Sequence, residues 1–505
     1  MQQGFLILDF GSQYTWLIAR RFRELGYYSE IVSYDEPLES IIKKKPYGII
    51  ISGGPSSVLE KDSPKRSVDE LLKQAPVLAI CYGMQLVAHQ KGGQLFKSQK
   101  RTYGPNTIFW EKELLPNYKK QKVWMSHGDS VDKIPPEAQI LAKDETGLIM
   151  AFSMERLWAF QFHPEVSHTT KGLDLLKLFA QDMCQAPFQS WNSNTIIKNL
   201  IEKIKQQVPD QEDVFCALSG GVDSTVTAWL LTQALSKKRV HCLFVDNGLL
   251  RKGEYEEVLK MYKKLDINVR GIGAQSDFLS ALKGVKDPEE KRKKIGKVFI
   301  DVFKKEMKNC KWLAQGTLYP DVIESLSPKG SGVTIKSHHN VGGLPKDLNL
   351  KLVEPLRELF KDEVRQIGQS MGIPQEFLNR HPFPGPGLAV RCLGAIEEKD
   401  LDLLREADAI YIEELKKNNL YSKIWQAFCV LLPVKTVGVQ GDDRTYEKCI
   451  ALRAITSEDG MTGEWYDFPK KVLSKISSRI VNEVEGVNRV VYDITTKPPG
   501  TIEWE

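Results

Sequence analysis

The sequence predicts an α/β protein: two doubly wound, mostly parallel α/β domains followed by a smaller α+β C-terminal domain. Three observations lead there. Short apolar runs alternate with amphipathic helical patterns over the first 190 residues or so, and a second such series begins near residue 214. After the string His381-Pro382-Phe383-Pro384-Gly385-Pro386-Gly387, which cannot be helical because proline fixes φ and removes donors, long helical stretches and strand-like runs take over. Strands alternating with helices imply a sheet covered on both faces.

In the first series, Phe5–Asp9 reads as a strand and 16–25 as a helix ending at Gly26. Further strands are expected at 47–52 before Gly53-Gly54-Pro55, at 76–80 before Cys81, and at 157–162 before His163. The pattern breaks at Ala186-Pro187 and Trp191-Asn192-Ser193, so domains are expected at 1–190, 191–383 and 384–505. In the second series a helix over 195–207 leads to a strand at 214–218, a helix at 224–236, a strand at 240–245, and short strands at 269–271 and 311–314. Helices at 397–416 and 467–485 and strands at 436–439 and 489–494 make up the C-terminal part.

Composition narrows the function classes. The 505 residues are 42% hydrophobic and 27% charged, ordinary values for a folded protein with full cores. A net charge of +5 over this length demands neither nucleic acid nor a membrane surface, though it suits anionic small substrates. No apolar run approaches the length of a membrane span, and the N-terminus does not read as a signal peptide. Eight cysteines with no Cys-x-x-Cys pair argue against a zinc ribbon, a dithiol motif or a disulfide scaffold, and fit a reducing cytoplasm.

Two constellations carry chemistry. Cys81 lies between a buried strand and a helix, with Ala79 and Gly83 small enough for a sharp turn. Such an elbow exposes a nucleophile, and the N–H after it, on Tyr82, can help bind an oxyanion, with Gly54 as second donor. The helix N-terminus favours thiolate. His163 can take the thiol proton, and Glu165 can orient the imidazole. A lone Cys or His at a strand end is ordinarily core; the two together in one α/β domain point to a nucleophile–base pair.

The second is Ser219-Gly220-Gly221-Val222-Asp223-Ser224, between a strand and a helix. Its glycines let the backbone approach phosphate, whose charge the N–H groups and helix N-terminus cradle. Asp223 would repel phosphate unless a cation intervenes, so Mg²⁺ is expected there. The lysine of a Walker A loop is missing. Val245 and Asp246, at the next strand end, could line an adenosine pocket, with an Asx turn the competing reading for Asp246.

Ile51-Ser52-Gly53-Gly54-Pro55, Cys81-Tyr82-Gly83-Met84-Gln85 and Phe162-His163-Pro164-Glu165 resemble class I glutamine amidotransferase domains, which release ammonia through a cysteinyl acyl-enzyme. Ala79 stands where that family usually has Gly. The second loop resembles that of ATP pyrophosphatases, which adenylate their substrate. Together with Gly316–Asp321, Lys336–Pro345, 381–387, Gly438–Asp442 and Lys497–Glu505, these motifs resemble the GMP synthase family from residue 4 to the last residue. The resemblance implies amination of XMP to GMP with glutamine and ATP, a C-terminal homodimer, and a mobile lid after His338-His339, a pair with no third ligand nearby to suggest zinc.

The loop from Pro384 through Gly385 and Pro386 to Gly387 leaves room for a nucleotide phosphate, with Arg391 a charge partner for it; the resemblance supports Gln440, Lys497 and Glu503 in substrate binding. Tyr319 is given no phosphate role, because some family members have Arg there. The segment Asp287-Pro288-Glu289 reads, at its simplest, as a helix start. Three rivals remain: a tRNA-modifying enzyme with the same loop, which would need catalytic cysteines near it and a basic tract; NAD synthetase, whose glutaminase is usually of another type; and a binding protein that kept the fold without turnover.

Overall fold

The structure is a computed structural model that describes residues 3–188, 191–307, 310–319, 321–322, 350–440, 443–457 and 462–505. It divides into two compact units, Met1–Thr195 and Ile196–Glu505.

The first unit is built on a nine-stranded sheet. Its order is Ser29–Ser33, Phe5–Asp9, Gly48–Ile51, Val77–Ile80, Leu157–Phe160, Ile149–Met154, Gln139–Asp144, Gln94–Trp110 and Lys120–Lys133. The first five strands are parallel and the other four antiparallel. The sequence says why. Gly48–Ile51 and Val77–Ile80 are unbroken apolar runs buried along their whole length, as strands covered on both faces must be. Lys120–Lys133 alternates exposed and buried over its first half, the signature of a one-sided strand. The expected parallel strands are present; the antiparallel extension is additional.

The second unit holds an all-parallel five-stranded sheet in the order Val269–Gly273, Val240–Asp246, Val214–Leu218, Trp312–Ala314 and Lys351–Val353. A four-stranded sheet follows. Gln426–Gln440 pairs antiparallel with Asp443–Thr456, which also pairs with Glu464–Trp465 and, in parallel, with Val487–Tyr492. The helices Glu398–Lys417 and Lys470–Glu483 lie at the predicted places.

The expected break at 383/384 is not a break in the packing. One apolar core runs from Phe215, Leu243 and Val245 through Leu388 to Leu401, Tyr411, Leu452 and Ile476. Asp287 caps the helix Pro288–Glu306, accepting a 2.8 Å bond from Glu290 N, with Pro288 at its first turn. That is the helix start the sequence suggested.

Candidate functional sites

Cys81 follows Val77–Ile80 directly and precedes the helix Tyr82–Gln90. Its backbone sits at φ 54°, ψ −106°, a conformation L-residues rarely hold, and such strain persists where surrounding packing over-determines it. That packing is visible at Gly83, where a Cβ would lie 2.6 Å from Ile51 O. Ala79 is fully buried between Ile51 and Ala159 on the flanking strands, so the turn forms with Ala in place of Gly.

The Cys81 thiol donates to Ser126 O at 3.5 Å, and its sulfur is near enough to His163 to act on the imidazole's charge. His163 Nδ1 is 2.7 Å from Glu165 Oε1, and both side chains are buried. Burial alone would lower the His163 pKa. The Glu165 carboxylate and the Cys81 sulfur outweigh it and hold the imidazole well above its ordinary value. Thr169 Oγ1 donates to His163 O at 2.6 Å, and Arg21 Nε donates to Glu165 O at 2.8 Å, so the segment bearing the pair is fixed from both sides.

Gly54 packs close to the elbow: a Cβ there would meet Phe10 O at 2.7 Å and the Tyr82 ring at 3.4 Å. The Tyr82 N–H is the first of its helix and has no intrahelical acceptor.

Sequence reasoning missed His127. It is buried, and its Nδ1 donates to Asp129 O at 2.9 Å, which leaves Nε2 as a buried acceptor without a partner. Burial pushes its pKa down against that hydrogen bond, and the nearby His163 charge pushes it further. The string Ser126-His127-Gly128-Asp129, flanked by apolar strand residues, was the available signal.

In the second unit Ser219–Gly221 joins Val214–Leu218 to the helix Val222–Leu235. Gly220 has φ 76°, and a Cβ on it would meet Val258 at 3.2 Å. Ser224 Oγ donates to Gly221 O at 3.1 Å and accepts from Ser219 N at 3.2 Å, so this hydroxyl shapes the loop. Asp223 Oδ2 is 3.3 Å from Lys361 Nζ, while Oδ1 is buried with no hydrogen-bond partner among the described residues. Lys361 was also missed; it sits 138 positions away. Gly316 packs against Asp223, with a would-be Cβ 3.1 Å from Asp223 C.

Val245 is buried in the core beneath the loop. Asp246 makes the Asx turn: Oδ1 accepts from Gly248 N at 3.0 Å, and Oδ2 accepts from Gln275 Nε2 at 2.6 Å. This turn meets the proline-glycine string. Leu388 N donates to Leu249 O at 2.8 Å, and Gly387, at φ 62°, could carry no Cβ, which would lie 2.4 Å from that oxygen. Beside Gly385 the space is open.

Arg391, expected as a phosphate partner, has a protein partner as well. It is fully buried, with Nη2 2.8 Å and Nε 3.1 Å from the two carboxylate oxygens of Glu503. Its Nη1 is buried with no hydrogen-bond partner among the described residues. Glu503 Oε1 also accepts from Gln426 Nε2 at 2.7 Å. Lys497 forms a backbone bridge with Gly463. The side chain of Gln440 and residues 320, 336–345 and 441–442, with His338 and His339 among them, lie outside the described residues or side chains. Among the described residues, no group of three His, Cys, Asp or Glu side chains forms a metal cage.

The class-I glutamine amidotransferase family matches residues 6–183, the NAD synthase family residues 194–297, and the GMP synthase C-terminal domain family residues 413–504. The chain is 58% identical to the GMP synthase [glutamine-hydrolyzing] of Bdellovibrio bacteriovorus, over 100% of both chains. It is 53% identical to that of Aquifex aeolicus over 99% of each, and 51% identical to that of Chlorobium chlorochromatii over 100% of each.

Proposed function

The chain belongs to the GMP synthase [glutamine-hydrolyzing] family, and from that premise we propose how its residues divide the work. The enzyme is a ligase that aminates XMP to GMP. Glutamine hydrolysis supplies ammonia, which attacks an adenylyl-XMP intermediate formed from ATP, with release of AMP and pyrophosphate.

Cys81 Sγ attacks the glutamine amide carbon. The oxyanion that develops accepts from the N–H groups of Gly54 and Tyr82. His163, its Nδ1–H held by Glu165, takes the Cys81 proton at Nε2, passes that proton to the departing ammonia and then takes one at Nε2 from the water that cleaves the thioester. The observation carrying this half is the buried His163–Glu165 pair, 2.7 Å apart, with the Cys81 sulfur at the strained elbow acting on the same imidazole. His127 and Asp129 are candidates for the wall of the glutamine pocket.

On the second sheet, Ser219, Gly220, Gly221, Val222 and Ser224 cradle the ATP phosphates, with Val245 beneath the adenosine. The orphaned Asp223 Oδ1 fits a cation held mainly by phosphate and water oxygens, as Mg²⁺ prefers. When bound, Mg²⁺ would neutralise phosphate charge; Lys361 supplies a second positive charge beside the loop. The XMP C2 oxygen attacks the α-phosphorus, pyrophosphate leaves, and ammonia then displaces AMP from C2. Pro384, Gly385, Pro386 and Gly387, with Gln440, Lys497 and Glu503, form the XMP site in this reading, and Arg391 acts by holding Glu503.

The homodimer is proposed through the C-terminal sheet. Its support is the exposed apolar row Val437, Val439 and Tyr446 on the long hairpin. The cytoplasm is the proposed location. All eight cysteines are free thiols, and among the described residues no helix is long and apolar enough to cross a membrane.

The test is GMP and AMP formation from XMP, Mg-ATP and ammonium, then with glutamine in place of ammonium. Product from both sources is expected. Product from ammonium alone would remove the Cys81 half of the proposal, and product from neither would remove the XMP site.

A further inference from the structure

The helix Pro288–Glu306 carries a lysine in an unusual place. Lys291 is fully buried among polar partners, although its neighbours Arg292, Lys293 and Lys294 form the charged run of an outer face. An ammonium has three donors, and a buried one is tolerated where each finds an acceptor. Lys291 Nζ donates to Ala389 O at 3.0 Å, to Cys392 O at 2.8 Å and to Glu505 Oε2 at 2.5 Å. Glu505 Oε1 in turn accepts from Gly394 N at 3.3 Å.

The two carbonyls belong to the turn that continues directly from Pro384–Gly387. The carboxylate is two residues beyond Glu503. One side chain from a helix of the adenylating half therefore ties together the two segments read above as walls of the XMP site. Arg391 makes the second tie, through Glu503. Arg453, also fully buried, makes a third by donating to Thr495 O at 2.5 Å and Thr501 O at 3.0 Å, on either side of Lys497.

We propose that Lys291 is a positioning residue for XMP, holding the Pro384–Gly387 loop and the 503–505 segment at the spacing the nucleotide requires. The inference rests on the XMP-site reading. It explains why the Asp287-Pro288-Glu289 helix start is followed by a buried lysine: the cap sets the first turn and so aims Lys291 at the loop.

The test measures KM for XMP and for ATP in ammonium-dependent GMP formation by the full chain. The variants are Lys291→Met, Lys291→Arg, Glu505→Gln and, as control on the site, Lys497→Ala. Losing the charge-assisted bonds of Lys291→Met is expected to raise KM for XMP by about tenfold or more and KM for ATP by less than about twofold. Lys291→Arg is expected to recover part of the loss, and Glu505→Gln to raise KM for XMP by about threefold. An unchanged KM for XMP in Lys291→Met, or an equal rise for ATP, overturns the proposal while Lys497→Ala still raises KM for XMP. If Lys497→Ala leaves it unchanged as well, the XMP-site reading has failed and takes the proposal with it. If Lys291→Met does not fold, Glu505→Gln decides, and no change in its KM for XMP overturns the proposal.

Discussion

At the end of Val77–Ile80 the turn residue is Cys81, held at φ 54°; just past the end of Val214–Leu218 it is Gly220, at φ 76°. Both turns leave the carboxyl end of a buried parallel strand and enter a helix, where open α/β sheets bind ligands. They differ in what they expose. The first bends around a side chain and places a sulfur beside the His163–Glu165 pair. The second has no side chain at the bend and presents backbone, with a single carboxylate beside it. In the proposed reading, the same crossing yields nucleophilic catalysis or an anion cradle according to one residue.

Removal of the nucleophile apart, the largest expected effect comes from the carboxylate. Asp223→Asn should lower GMP formation by about 10- to 100-fold from either nitrogen source, because both routes share the adenylation step. A loss confined to glutamine would break the division between the two turns.

Glu165→Gln should reach only the first turn. Glutamine hydrolysis is expected to fall about tenfold, with ammonium-dependent synthesis unaffected. The sign of the pH change is fixed by the direction of the His163 shift. Glu165 raises that pKa, so its loss lowers it, and the alkaline limb of the glutaminase profile moves to lower pH. A pH–rate profile with an unmoved limb would contradict the pairing.

Stability shows what the two turns share. Gly220→Ala should cost about 1–2 kcal/mol, because Ala is strained at positive φ. At Cys81 the same order holds: Cys81→Gly should be more stable than Cys81→Ala by about 1 kcal/mol, since glycine relieves the strain that alanine keeps. Denaturant melts of the three variants decide it. The smallest effect is expected at Ala79. Ala79→Gly should cost about 1 kcal/mol and leave glutaminase activity nearly unchanged, because the elbow already forms with Ala.

Local strings made much of this legible. Elbow, loop and His-Pro-Glu each occupy a few adjacent residues at a strand end, and doubly covered strands announce themselves as unbroken apolar runs. The antiparallel extension did not, since strands such as Gln94–Trp110 mix Lys, Gln and aromatic residues without clean alternation. Nor did the pairings across long stretches of chain. Lys361 reaches Asp223 across 138 positions, Arg391 reaches Glu503 across 112 and Lys291 reaches Glu505 across 214. Arg391 read as a phosphate partner because a lone arginine after a glycine loop invites that role; its pairing with Glu503 is visible only once the chain has folded. The shared core across residue 383 was hidden in the same way, because a proline-rich string looks like a linker whether or not packing continues through it.

The central claim is that a side-chain turn makes ammonia and a backbone turn uses ATP. The most direct measurement is GMP formation by Cys81→Ala from XMP and Mg-ATP with each nitrogen source. Glutamine-dependent product should fall by at least about 10⁴-fold, while the ammonium-dependent rate stays within about twofold of the unaltered enzyme. Retained glutamine-dependent synthesis, or loss with both sources, would contradict the account.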